Sequence, residues 1–249
     1  MDREIIRTNR RHLHSIRCWL NDEDYRQSRD RYGCPPHARA LLDLPLDEQP
    51  TCTDLLAFAA RRLATPIRYL ELGVSVGKNL YVLANVLQQA RLVGFDWEQI
   101  NPVLERRFEP VGALGRMRYY RHGTNELAYL EGDIARIAHW DALADMRFNL
   151  VYSDACHQPN MLRHEWRMFE RYALLDPNGF VMVWDDLDRL TSGPVTQAFD
   201  EIAHVIQQHY RLPSDASFRL ELNGWLGQYE HRHTIGIVNS IGLTRSDFP

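Results

Sequence analysis

Lysine is almost missing from this chain of 249 residues. Of its 29 basic side chains only Lys78 is a lysine, and all the others are arginine. We read that preference as coding composition. An excess of one charge is missing too. The 29 basic and 33 acidic residues leave a net charge of −4, too balanced for a duplex-binding protein held by phosphate contacts. No apolar run reaches the roughly 18 residues that a membrane helix needs. The opening stretch, MDREIIRTNRRHLHSIRCWL, is charged throughout, so no secretory signal is expected. Cysteine is sparse. Cys18, Cys34, Cys52 and Cys156 lie far apart, with neither a C-x-x-C pair nor zinc-type spacing. Reduced thiols in a cytoplasmic protein are expected. Internal repeats and low-complexity segments are absent as well. What remains is ordinary for a globular chain: 45% hydrophobic and 25% charged residues. The length suits one large α/β domain or two small ones, with enough chain to bury a core.

Residues 1–20 place Ile5, Ile6, Leu13, Ile16 and Leu20 at helical spacing. Residues 21–50 are polar and broken by Gly33, Pro35, Pro36, Pro45 and Pro50, a loop-rich approach with room for one short helix. From Thr53 the pattern becomes regular, with a helix through Leu55–Leu63 and then alternating strands and helices. Strands are predicted at Ile67–Glu71, Arg91–Asp96, Leu127–Glu131, Phe148–Ser153 and Gly179–Asp185. Helices are predicted at Lys78–Gln89, Glu98–Phe108, Asn160–Leu175 and Val195–Tyr210. Two late strands, Ser217–Leu222 and His233–Val238, are spaced for an antiparallel pair. The alternation implies a doubly wound, mostly parallel sheet of seven strands, Rossmann-like, ending in that pair. Such sheets bind ligands beyond the carboxyl ends of their strands, beside the switch point. Four strands end in acids, Glu71, Asp96, Asp154 and Asp185, and Asp133 lies two residues past Glu131.

The first strand runs into Glu71-Leu72-Gly73-Val74-Ser75-Val76-Gly77-Lys78. Gly73 and Gly77 permit a tight turn and close backbone approach. The following helix offers free N–H groups to an anion such as a carboxylate. A phosphate-binding P-loop needs four residues between its glycines and then Lys-Ser/Thr; here there are three, and Asn79 follows Lys78. Nor does G-x-x-x-G fit the dinucleotide pattern G-x-G-x-x-G. A strand-to-helix turn without a ligand is the plain alternative.

Glu71-Leu72-Gly73-Val74-Ser75-Val76-Gly77 resembles the first motif of class I methyltransferases that use S-adenosyl-L-methionine (SAM). Gly94-Phe95-Asp96-Trp97 resembles the second motif, whose acid accepts the two ribose hydroxyls; Trp97 is placed to pack on adenine. Glu131-Gly132-Asp133 resembles the third, whose polar residue meets the adenine edge. The Asp96 to Asp133 spacing is longer than usual, which marks Arg116–Thr124 as an insertion. The resemblance covers about residues 53–240. It implies a cofactor site of Glu71, Gly73, Ser75, Gly77, Asp96, Trp97 and Asp133, with Glu71 holding the amino group of SAM.

Tyr152-Ser153-Asp154-Ala155-Cys156-His157 and Val183-Trp184-Asp185-Asp186 end neighbouring strands in this scheme. Three carboxylates converging there would repel unless one stays protonated or a hard divalent cation joins them. The bland reading is that Asp185 and Asp186 cap a turn. The arrangement resembles metal-dependent O-methyltransferases of the catechol and macrolide-sugar types, and also cephalosporin-hydroxylase-like relatives. It implies Asp154, Asp185 and Asp186 as ligands of a divalent metal, Mg²⁺. His157 stands where the catechol enzymes place a lysine base, and an imidazole titrates in the range that such a base needs. The macrolide-sugar type uses an aspartate two residues past its first ligand, a place held here by Cys156.

The expectation is therefore metal-assisted O-methylation of a small-molecule acceptor, a metabolite or natural-product intermediate, with His157 as base. Residues 53–249 form the methyltransferase domain, and 1–52 an extension that covers substrate or dimerises. Substrate contacts are expected from that extension, from the loop after Asp186, and from Trp225–His233, where Trp225, Tyr229, His231 and His233 read equally as an aromatic wall or as a core hairpin. Two alternatives stay open: metal-free methylation of nitrogen or carbon, and a silent SAM-binding subunit. No membrane or nucleic-acid partner is expected. The arginines at 106, 107, 116, 118 and 121 read as a solvated face, with only Tyr119 and Tyr120 spaced for stacking on bases.

Overall fold

The computed structural model describes residues 1–20, 32, 46, 48–188, 192–223 and 232–248. The expectations for Cys34, for a short helix within 21–50, and for Trp225, Tyr229 and His231 fall outside them.

Helix α1 (Arg3–Leu20) buries Ile5, Ile6, Leu13 and Ile16, the stripe read from the sequence. Helix α2 (Cys52–Arg62) starts at a capping box. Thr51 accepts from the Asp54 N–H, while the Asp54 carboxylate accepts from the Thr51 N–H at 2.8 Å. Asp54 is fully buried, and it also receives Asn9 at 2.8 Å and Arg10 at 3.0 Å, so one acid caps α2 and ties α1 to it.

The sheet core is β1 (Arg68–Leu72), β2 (Arg91–Asp96), β5 (Asn125–Glu131), β6 (Leu150–Ser153) and β7 (Val181–Leu187), all parallel. Helices α3 (Lys78–Val86), α4 (Pro102–Glu105), α5 (Ile137–Trp140), α6 (Pro159–Tyr172) and α7 (Pro194–Tyr210) cross between strands. Two late strands, β8 (Ser217–Asn223) and β9 (Arg232–Asn239), pair antiparallel, with β9 also antiparallel to β7. Strand residues alternate between two cores. Tyr69, Leu92 and Tyr152 face α2 and α3, whereas Leu70, Val93 and Val151 face Trp140, Phe169 and Phe199 on α5, α6 and α7.

Among the described residues the sheet has nine strands, not seven. The extra two, β3 (Glu109–Leu114) and β4 (Met117–His122), form a hairpin that adds to β5, giving the order β3-β4-β5-β2-β1-β6-β7-β9-β8. The segment read as an insertion is thus ordered strand. Its outer member is exposed along its whole length, so no apolar alternation marked it. The helix expected over Glu98–Phe108 contracts to α4, because Pro102 belongs in a first turn and Asn101 caps it through the Val103 N–H at 2.9 Å. The order reverses direction at β1, which lies between β2 and β6, and this puts the switch point at the glycine loop. Among the described residues, no helix is long and apolar enough to cross a membrane.

One buried acid lies under this switch point without reaching it. Glu165 of α6 is fully buried; its Oε2 accepts from Ser153 Oγ at 2.8 Å and Trp184 Nε1 at 3.2 Å, and its Oε1 has no partner among the described residues. Burial outweighs those two bonds and pushes its pKa from 4.5 up to about 8. The folded chain then holds a proton that the unfolded chain releases, so stability falls as pH rises between those two values. Glu165→Gln should flatten part of that fall. Urea melts should show the variant gaining on the wild type at pH 8, on the order of 1–4 kcal/mol, and little change at pH 4.5.

Candidate active site

The glycine loop is built from left-handed turns. Gly73, Ser75 and Gly77 have φ of 79°, 52° and 81°. Gly73 is required twice over, because a Cβ there would also collide with the Asp154 carbonyl, where the β1 and β6 loops touch. At Gly77 a Cβ would strike Leu104, so this glycine packs α3 against α4. Asp96 buttresses the loop from β2. Its Oδ2 receives the N–H groups of Val74 at 2.6 Å and Ser75 at 2.9 Å, and its Oδ1 receives the Glu98 N–H at 3.0 Å. Ser75 Oγ donates to the Tyr32 carbonyl at 2.6 Å, which ties the N-terminal extension to the loop.

Beyond the strand ends opens a cavity of about 630 Å³. Of the residues expected at the cofactor, Gly73, Ser75, Asp96, Trp97 and Asp133 line it, and so does Asp154. Trp97 is 77% exposed at its mouth, a large apolar face. The Asp133 N–H is taken by His139 Nδ1 at 2.7 Å and its Oδ1 by the Ala135 N–H at 2.9 Å. The structure adds Tyr32, Phe95, Ile134 and Met161 to the lining. A volume of this size holds a nucleoside-sized ligand.

Glu71 and Gly77 are not in that lining. Glu71 points into the α2/α3 core, where Asn79 donates to Oε1 at 3.0 Å and Oε2 has no partner among the described residues. Burial raises its pKa to about 8, against the Asn79 bond and the nearby Lys78 charge. Lys78 itself is only 9% exposed, in the first turn of α3.

Asp154 joins the cavity to a second group of side chains. His157 Nε2 lies 3.4 Å from Asp154 Oδ1 and 3.5 Å from Asp186 Oδ2. His233 Nδ1 lies 2.7 Å from Asp186 Oδ1 and 3.1 Å from Asp185 Oδ1. Two clusters with ligand-like spacing result, Asp154/His157/Asp186 and Asp185/Asp186/His233, sharing Asp186. Asp154 and Asp186 are partly exposed, at 34% and 40%. Asp185 is buried and fully engaged. Its Oδ1 accepts from His233 and from the Asp186 N–H at 2.8 Å, and its Oδ2 from the Tyr152 hydroxyl and from Cys52 Sγ at 3.5 Å.

The charges respond accordingly. Burial would raise Asp185, but the His233 hydrogen bond and charge outweigh it and hold the pKa at about 2. Burial would lower His233, but its bonds to Asp185 and Asp186 push it up to about 10. Burial, and then the Asp185 and Asp186 charges, hold the Asp154 carboxyl well above the usual carboxylate range. The sequence left His233 between a substrate wall and a core hairpin. Its partnership with the aspartates becomes visible only once β9 is paired with β7, where Thr234 faces Leu187.

No family model matches the chain, and no curated protein matches it. Among solved structures, an O-methyltransferase from Bacillus cereus in complex with SAH aligns at 16% identity and TM-score 0.48, over 86% of this chain and 91% of that one. The O-methyltransferase TomG from Streptomyces achromogenes, involved in tomaymycin synthesis and in complex with SAM, aligns at 20% identity and TM-score 0.45, over 88% and 90%. The plantazolicin methyltransferase BpumL in complex with SAH aligns at 12% identity and TM-score 0.47, over 95% and 98%. Likenesses this remote leave activity to be argued from the site itself.

The Gly73–Asp154 contact gives the site a direct test. Gly73→Ala should cost roughly 2–4 kcal/mol, the left-handed penalty plus a backbone collision. Gly123→Ala has the same kind of backbone, with φ 57°, but open space around it, and should cost only about 1–2 kcal/mol. Urea denaturation of both variants measures the difference.

Proposed function

We propose that this chain is a SAM-dependent methyltransferase that methylates a hydroxyl oxygen of a small molecule, with a divalent cation, Mg²⁺, at its carboxylates. The observation that carries this reading is the double position of Asp154. It lines the nucleoside-sized cavity at the switch point and belongs to the carboxylate–histidine cluster next door. A donor in the cavity and an acceptor at the cluster would meet at that residue.

The donor set fits a hard cation in part. Asp154 and Asp186 offer partly exposed oxygens on either side of His157. Asp185, expected as the third ligand, has its acceptor positions filled by protein donors and serves as the anchor of the group. A bound cation would lower the hydroxyl pKa of the acceptor and orient its oxygen. The residues do the remainder. The glycine loop and Trp97 hold the donor, with Asp96 setting the loop's shape. SAM bound there would supply an electrophilic methyl group to the acceptor oxygen, with the bonding pair staying on sulfur. The hydroxyl proton passes to His157, whose Nε2 stands between the two open carboxylates. Most of the acceleration would come from positioning, a contribution on the order of 7–11 kcal/mol in well-oriented systems.

One observation favours a second reading. His157 and His233 lie within ion-pairing reach of the carboxylates, so these acids also face nitrogen bases. In that case the same acids would receive a substrate amine, and methyl transfer would proceed in a chelator.

Calorimetry separates the two. SAM should bind the wild type, and Mg²⁺ titrated into the SAM-saturated protein should bind at one site. Asp186→Asn should lose the Mg²⁺ signal and keep SAM. SAM binding without any Mg²⁺ uptake by the wild type would move the acceptor search to amines. Absence of SAM binding would sink the methyltransferase reading. With an acceptor in hand, His157→Ala should lower kcat by about 10²–10⁴-fold while changing the SAM KM little, measured by methyl-transfer assay.

A further inference from the structure

Consecutive strand residues point to opposite faces of a sheet. Asp185 and Asp186 break that rule. The β7–β9 register shifts between Trp184 and Leu187, and Asp186 adopts a left-handed φ of 50°. For a residue other than glycine that conformation costs about 1–2 kcal/mol, so its surroundings must hold it. The kink turns both carboxylates toward one imidazole, that of His233, whose Nδ1 is within hydrogen-bond reach of an oxygen of each.

The two acids are not equivalent. Asp185 is fixed by Tyr152, Cys52 and the Asp186 N–H, groups from β6, α2 and β7. Asp186 is 40% exposed, and among the described residues the side chains within ion-pairing reach of it are His157 and His233. His233 is thus held by a fixed acid and in turn holds a movable one. We infer that His233 is a positioning residue: anchored on Asp185, it fixes the orientation of the Asp186 carboxylate so that its second oxygen, Oδ2, faces Asp154 and His157. This role rests on the cation reading above. Partners that orient a metal-binding carboxylate are worth roughly 10–100-fold in metal affinity.

The test compares wild type, His233→Asn and His233→Ala. Asparagine can place an amide N–H near the Nδ1 position; alanine cannot. Each protein is titrated with SAH, then with Mg²⁺, and its melting temperature is recorded. The expected result is unchanged SAH affinity in all three, Mg²⁺ binding at least about tenfold weaker in the alanine variant, and recovery of most of that loss in the asparagine variant. Equal Mg²⁺ affinity in wild type and alanine variant overturns the role. Parallel loss of SAH affinity, Mg²⁺ affinity and melting temperature in both variants also overturns it, and makes His233 structural. A wild type that takes SAH but no Mg²⁺ overturns it too, while leaving methyl transfer standing. A wild type that takes Mg²⁺ but not SAH removes the methyltransferase reading alone, and the comparison of variants is then read on Mg²⁺.

Discussion

A carboxylate removed from water must be matched by donors, and Asp185 is matched from four parts of the chain. Cys52 reaches it from α2, Tyr152 from β6, the Asp186 N–H from its own strand and His233 from β9. Leaving such a charge buried with a donor removed would be strongly destabilising, so these elements are pinned to one another. The same α2 that supplies Cys52 is capped by the Asp54 that grips α1. One buried charge therefore sets the depth at which the strand ends, the helical layer and the last hairpin meet. The more exposed Asp186 is tied to it through its own N–H.

The glycine-loop side of the site depends on a different constraint. Asp96 spends two of its acceptor positions on the glycine loop itself. Bonds within the protein thus fix the loop's shape, which lowers the ordering that binding would require. Gly73 lets this loop touch the backbone after β6, so the cavity floor and the aspartate cluster share a wall. Transfer between adjacent compartments depends on that kind of fixed separation, because a shift of about 1 Å can cost on the order of 10²-fold in rate.

Much of this was legible in the sequence because it depends on local rules. The glycine loop, the acids at the strand ends and the antiparallel closing pair follow from turn chemistry, apolar runs and strand–helix alternation. The β3–β4 hairpin was not legible, since Glu109–Leu114 is exposed along its length and carries Pro110 and Gly112. Glu98–Phe108 looked helical by composition, but Pro102 and the Asn101 cap leave a single turn. The different fates of Asp185 and Asp186 were hidden for another reason. Two identical neighbours in sequence are separated by a register shift and by partners 33 and 133 residues away along the chain. Such long-range pairing has no local signature.

Lys78 has a consequence of its own. It is the only lysine in the chain, and it sits buried in the first turn of α3, directly after the glycine loop. A cation in that place opposes the helix dipole and is retained among Glu71, Asp154 and Cys52, whose proton affinities it lowers. For a lysine-specific protease the whole chain offers one scissile bond, and that bond lies at the loop–helix junction. The molecule thus carries a built-in single-cut reporter. A ligand seated on the loop would stabilise its fold and slow that cut.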